Sequence, residues 1–136
     1  MDSIRHNLPF VARGLLGLIF VLSGLGKLGT WDMNVQYIEA KGLFLAPVFL
    51  AGAVVVEVLG GLSVIAGYRA RWGAAALAGF CIVAAFLFHA FWAQPAGQMQ
   101  MLEMASFLKN LSIAGGLLMV VVLGPGARSF DARATV

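Results

Sequence analysis

Glu57 lies inside Phe44–Gly67, an uninterrupted apolar run reading FLAPVFLAGAVVVEVLGGLSVIAG. A membrane helix takes about 20 mostly apolar residues, which sets this acid close to a bilayer midplane. An ionised group there costs at least ~2.5–3.5 kcal/mol, so an intramembrane acid faces a partner, a cavity or a proton pathway. Three other apolar runs carry groups that could serve it. On the first, Arg13, Gly17, Phe20, Gly24 and Lys27 recur at spacings of four and three and share a face, with Ser23 beside Gly24. On the third, Ala78, Cys81, Ala85, His89 and Trp92 share a face; on the fourth Lys109, Ser112 and Gly116 do, with Asn110 adjacent. A carboxylate among such groups can relay protons, bind a ligand, or fix helix register through an ion pair.

Depths follow from a rise of ~1.5 Å per residue, taking each run's midpoint as the bilayer centre. Glu57 then falls roughly 3 Å and Arg13 roughly 9 Å to the cytoplasmic side, while Ser23, Lys27, His89, Lys109 and Asn110 fall roughly 5–12 Å to the outer side. This predicts two layers, an Arg13–Glu57 ion pair and an outer polar chamber. Plainer readings stand beside these. Lys27 and Lys109 can snorkel to headgroups, His89 can be a hydrogen-bonded histidine near a helix end, and Cys81 an apolar packing residue. Met99, Met101 and Met104 with His89 nearby form a weak candidate for a soft-metal site, since thioethers suit Cu(I); methionine is equally ordinary at membrane interfaces. No metal is expected.

The elements that position these groups are membrane spans. Of 136 residues, 61% are hydrophobic and 11% charged, and the mean hydropathy is +0.93. A soluble domain carries roughly 25% charged residues. Leu8–Leu28, Phe44–Gly67, Trp72–Trp92 and Met104–Leu123 are each long enough to cross, which predicts one all-α, four-helix membrane domain over residues 1–136. Leu8–Leu28 exceeds the ~7–15 apolar residues of a signal core and lacks a clean cleavage site, so it reads as a retained helix. The net charge of +3 does not point to nucleic acid, because the arginines lie at helix ends. A lone cysteine excludes an intramolecular dithiol cycle.

Arg5, Arg13, Arg69, Arg71, Arg128 and Arg133 fall at the N-terminus, the second connection and the C-terminus. The positive-inside rule therefore predicts both termini in the cytoplasm, with Gly29–Leu43 and Ala93–Glu103 outside. The short turn at Arg69 makes the second and third spans antiparallel neighbours. Within Gly29–Leu43, Thr30 can cap a short interfacial helix carrying Trp31, Val35 and Ile38 at helical spacing, with Trp31 and Tyr37 at headgroup level. Pro47 suits a first helical turn. Pro95 and Gly97 are expected to end the third span, and Pro125 the fourth. The small-residue stripes Gly52, Val56, Gly60, Ser63, Gly67 and Ala78, Cys81, Ala85 read as packing surfaces.

Taken in order, Arg13-Gly14-Leu15-Leu16-Gly17, Ser23-Gly24-Leu25-Gly26-Lys27-Leu28, Glu57 with Gly60-Gly61, Gly67-Tyr68-Arg69-Ala70-Arg71, Lys109-Asn110-Leu111 and Gly124-Pro125-Gly126-Ala127-Arg128-Ser129-Phe130-Asp131 resemble the DoxX family of small bacterial inner-membrane proteins. The likeness runs from about Arg13 to Asp131. It implies a four-span inner-membrane protein, in a family with some members associated with membrane oxidoreductase assemblies and others with assembly roles. No flavin, haem or dithiol motif is present in the sequence, so an enzyme complete in itself is not expected. The leading expectation is an accessory or assembly subunit of a respiratory or redox complex, in contact with lipid and with other subunits or a second copy. Its polar pocket of Arg13, Ser23, Lys27, Glu57, His89, Lys109 and Asn110 would hold a quinone, lipid or small anionic molecule. The alternatives are a small proton-coupled transporter acting as a homodimer, and a chaperone-like scaffold.

Overall fold

The computed structural model describes residues 2–133, with residues 2, 3, 5 and 6 as backbone alone. The side chain of Arg5, whose charge entered the orientation argument, is outside that description. Among the described residues the secondary structure is helical: α1 (Asp2–Gly29), α2 (Trp31–Ala40), α3 (Ala46–Ala66), α4 (Ala70–Phe88), α5 (Gln98–Leu123) and a four-residue α6 (Phe130–Arg133). Four helices are long and apolar enough to span a membrane, over Asn7–Gly29, Ala46–Ala66, Ala70–Ala93 and Gln98–Leu123. α1 packs chiefly on α3 and α4 chiefly on α5, while α3 against α4 joins the two pairs and α1 touches α5 more lightly.

Glycine sets the α1–α3 contact. A methyl group added at Gly17 would stand 2.6 Å from the Gly61 carbonyl oxygen, and one added at Gly61 would stand 2.8 Å from the Gly17 carbonyl oxygen. One turn pair along, a methyl at Gly24 would meet Val58 at 2.7 Å and Cβ of Glu57 at 3.2 Å. Lipid offers no hydrophobic drive between helices, so this backbone approach supplies dispersion contact that larger residues would prevent. On the other side of α3, Gly60 receives Leu77 of α4. The buried core runs through Phe20, Val64, Ala74, Leu77, Cys81, Ala114 and Leu117. Cys81 packs there as an apolar residue.

Element ends match the expected turn chemistry in some places only. Pro47 occupies the first turn of α3, Gly67 ends α3 at φ +70°, and Gly124 ends α5 at φ +84°. Thr30 stands at the N-cap position of α2 but makes no side-chain cap. Its hydroxyl donates back to the Gly26 carbonyl at 3.2 Å, and Asn34 Nδ2 donates to Thr30 instead. α4 ends at Phe88, several residues before Pro95, and a 3₁₀ turn at Phe91–Ala93 follows. Tyr37 and Lys41 donate to the freed Phe88 carbonyl at 3.4 and 3.3 Å, and the Tyr37 ring stacks on Phe88. Phe86, Phe91, Trp92 and Phe107 pack edge-on around the turn. α5 starts at Gln98, so most of the expected Ala93–Glu103 connection is helical. α2 folds back on the bundle, burying Ile38 with Ala46 and Leu50.

The close α1–α3 contact makes a direct prediction. Gly17→Leu or Gly61→Leu should lower thermal stability in detergent by about 1–3 kcal/mol, the usual cost of overpacking. Gly14→Leu, where an added methyl meets nothing within 4 Å, should leave it unchanged. Equal melting of all three variants and the parent would refute the contact.

Candidate functional site

Glu57 is 3% exposed, and its carboxylate is held from α1. Lys27 Nζ lies 2.8 Å from Oε2 and donates to Oε1 at 2.9 Å and to Ser23 Oγ at 2.7 Å. The Ser23 hydroxyl donates to Oε1 at 2.9 Å. Oε2 is buried and in ion contact with the ammonium.

The expected Arg13–Glu57 pair is not formed. Equating span midpoints sets residue 18 of α1 opposite residues 55–56 of α3, whereas the glycine contact sets Gly17 opposite Gly61. That shift of about five residues moves α1 by ~7–8 Å along α3. It carries Lys27 to Glu57 and Arg13 to the far end of α3, where the Arg13 guanidinium lies against Gly67.

Arg13 is 2% exposed and donates from Nη2 to the Arg128 carbonyl at 2.7 Å. Its Nε and Nη1 meet no acceptor among the described residues. The C-terminal end of a helix carries partial negative charge, which favours a cation beside Gly67. The segment after α5 returns across this end. Asp131 accepts N–H bonds from Arg69 at 2.7 Å and Ala70 at 3.0 Å, and its own N–H donates to the Gly67 carbonyl at 2.9 Å. Arg69 has φ +47°, uncommon for a residue with a Cβ, and the Asp131 carboxylate meets its N–H at the positive end of α4. Arg13 therefore belongs to a tail clasp, away from the Glu57 site.

The remaining candidates converge. A groove of about 750 Å³ is lined by residues of α1, α2, α3, α4 and α5 together with His89. Its polar groups include Ser23, Lys27, Glu57, His89, Lys109 and Asn110, and Asn34 and Tyr37 of α2 line it too. Asn34 is not among the sequence-predicted site residues, and Tyr37, expected at headgroup level, lines the groove instead. The walls are apolar, including Phe20, Val56, Phe80 and Ile113. His89 Nδ1 lies 2.8 Å from Glu103 Oε2. An ionised carboxylate only accepts, so Nδ1 carries the proton and Nε2 is the atom left for other contacts. Asn110 Nδ2 donates to the Ser106 carbonyl at 3.0 Å. Lys109 has no ion pair with a described residue.

Met99, Met101 and Met104 are all exposed on the first turns of α5. Met99 and Met101 point about 200° apart at helical spacing, and His89 is engaged by Glu103. Among the described residues no group of three His, Cys, Asp or Glu side chains could hold a metal ion.

The DoxX family profile matches residues 8–90, from α1 through the end of α4. The chain belongs to the DoxX family. That match takes in Ser23, Lys27, Glu57 and His89 but stops short of Lys109. A SURF4 family profile matches residues 53–135, which adds α5 and the tail. The chain is 37% identical to the inner membrane protein YqjF of Escherichia coli K12 over 96% of its length and 95% of that protein's. It is 32% identical to the inner membrane protein YphA of the same strain, over 96% and 93%. No solved structure is a significant match. With its four spans, this DoxX protein is a multi-pass protein of the bacterial inner membrane.

The Lys27–Glu57 pair can be tested by a double-mutant cycle. Glu57→Gln leaves the Lys27 ammonium without its counter-charge, and Lys27→Met leaves the Glu57 carboxylate without one. Breaking a buried pair costs about 3–5 kcal/mol, whereas removing both charges is far milder. The double variant should therefore melt above either single, and Arg13→Gln with Glu57→Gln should show no such rescue. Additive losses in the Lys27–Glu57 cycle would refute the pairing.

Proposed function

We propose that this DoxX protein is a membrane-embedded accessory subunit of a respiratory or redox assembly, and that its groove holds a lipophilic ligand with a polar head, such as a quinone. The observation that carries the reading is the convergence of polar side chains from several elements on one otherwise apolar groove. Its size lies within the roughly 300–1,000 Å³ of small-ligand sites. The protein supplies an imidazole at His89 and an ammonium at Lys109, with apolar walls around them. A proton-carrier role is less well supported, because the Glu57 carboxylate is already engaged by Lys27 and Ser23. Gly79 and Gly115 face outward with nothing within 4 Å of an added methyl. Such positions suit close approach by a helix of another subunit or a second copy.

In the orientation that accompanies this reading, both termini are cytoplasmic and α2 lies along the outer interface, so the groove lies in the periplasmic half of the bundle. In intact cells Gln36→Cys and Gln98→Cys should label from outside, while Ser3→Cys and Thr135→Cys stay protected; Thr135 lies outside the described residues. Reversed labelling at any two positions would overturn the orientation.

The ligand reading is tested by gentle purification and extraction of bound lipophiles. Gly52 lines the groove and an added Cβ there meets nothing within 4 Å, so Gly52→Phe introduces a ring at the groove wall. A quinone or other lipophile should co-purify with the parent protein, together with partner subunits, and be depleted at least several-fold in Gly52→Phe. A parent protein that elutes alone and free of lipophiles would sink the proposal.

A further inference from the structure

We infer that the groove takes a single-chain amphiphile with a carboxylate head, a free fatty acid, with its head at Lys109 and its chain between α3 and α4. The inference rests on the reading of the groove as a lipophile site and adds the charge and shape of the occupant. Its basis is a charge census of the walls. The lining holds one acid, Glu57, and two lysines. Lys27 and Glu57 neutralise each other at 2.8 Å. Glu103, which is not part of the lining, holds His89 Nδ1. Lys109 alone has no counter-charge among the described residues, so the groove presents one surplus cation.

Lys109 is not at a helix end. It stands eleven residues into α5, about 16 Å along a helix whose 26 residues, at about 39 Å, exceed a hydrocarbon core of about 30 Å. A lone ammonium at that position is costly unless an anion joins it or its stem reaches the headgroups. The wall beside it selects what kind of anion enters. Val48 and Phe49 of α3 and Val83 and Leu87 of α4 line the groove while exposed on the bundle surface, so it opens sideways toward hydrocarbon. A small hydrophilic anion gains nothing from that opening, whereas an acyl chain enters along it. The groove's 750 Å³ suits one chain and a compact head.

The full-length protein in phosphatidylcholine nanodiscs, titrated with spin-labelled stearic acid, tests this directly. Saturable immobilisation is expected in the parent and in Lys109→Arg. Lys109→Gln should bind about tenfold more weakly or worse, as expected for loss of a charged hydrogen-bond partner, with its melting unchanged. The methyl ester of the same probe should bind the parent as weakly as the acid binds Lys109→Gln, and phosphatidylglycerol should not displace the acid. Equal binding by Lys109→Gln and parent would place the ammonium at the headgroups and overturn the inference, as would displacement by phosphatidylglycerol, which would make the site one for a lipid headgroup. Ester and acid binding equally, with both lost in Gly52→Phe, would overturn the charge preference and leave the groove as a neutral lipophile site. Absence of saturable binding by either probe would bring down both readings.

Discussion

The contact of α1 with α3 through Gly17 and Gly61 governs where the charges of these two helices can go. Two helices pressed backbone to backbone cannot slide by a residue without driving a side chain into a carbonyl oxygen. Once Gly17 is seated on Gly61, helix geometry leaves no freedom at the ends of the seam. Glu57 comes level with Ser23 and within reach of Lys27, and Arg13 comes level with Gly67. The ion pair does not choose the register unaided; the glycines allow the approach, and the pair then penalises departures from it. Small residues and buried charge thus specify one arrangement by separate means.

Each buried charge is compensated by a different device, and the differences sort structure from site. Arg13 is met by backbone and tail: the Arg128 carbonyl, the C-terminal end of α3 and the returning segment that carries Asp131. All of these lie away from the groove. Glu57 is met by two side chains on a neighbouring helix, and the assembly forms part of a groove wall. A scaffold needs only the first kind of arrangement. The second keeps polar groups beside an open apolar volume, where desolvating them costs most.

The sequence displayed the elements far better than their relative heights. The long apolar runs, the short helix after Thr30, the glycine ends at Gly67 and Gly124 and the proline start of α3 follow from hydrophobic length and turn chemistry, which are local. Register is not local. Assigning each span's midpoint to one plane ignores that helices of different length extend unequally beyond the hydrocarbon, and an error of five residues is enough to exchange Lys27 for Arg13 as the partner of Glu57. The heptad spacing of Gly17 and Gly24 against Gly61 was a readable signal, since glycines that face each other tend to touch. The end of α4 was hidden for a related reason. Phe88 is followed by no breaker until Pro95, and the helix stops where Tyr37 and Lys41 of the α2 region donate to its carbonyl and His89 turns to Glu103.

α2 gives the groove a character that four spans alone would not. Antiparallel helices packed by glycine leave little space between them, and along most of its length this bundle is filled by Phe20, Leu77, Cys81 and Leu117. Space opens where α4 stops short and α2 crosses over, because Ile38 buries against Ala46 and Leu50 without reaching the bundle axis. The volume is therefore bounded by a ten-residue helix on one side and by the Lys27–Glu57 pair on another. Few backbone hydrogen bonds tie that short helix to the rest, and its polar contacts to Phe88 are long. The helix pair that sets the register and the segment that bounds the groove are thus different parts of the chain, so the groove's boundary can move without disturbing the seam that holds Glu57 in place.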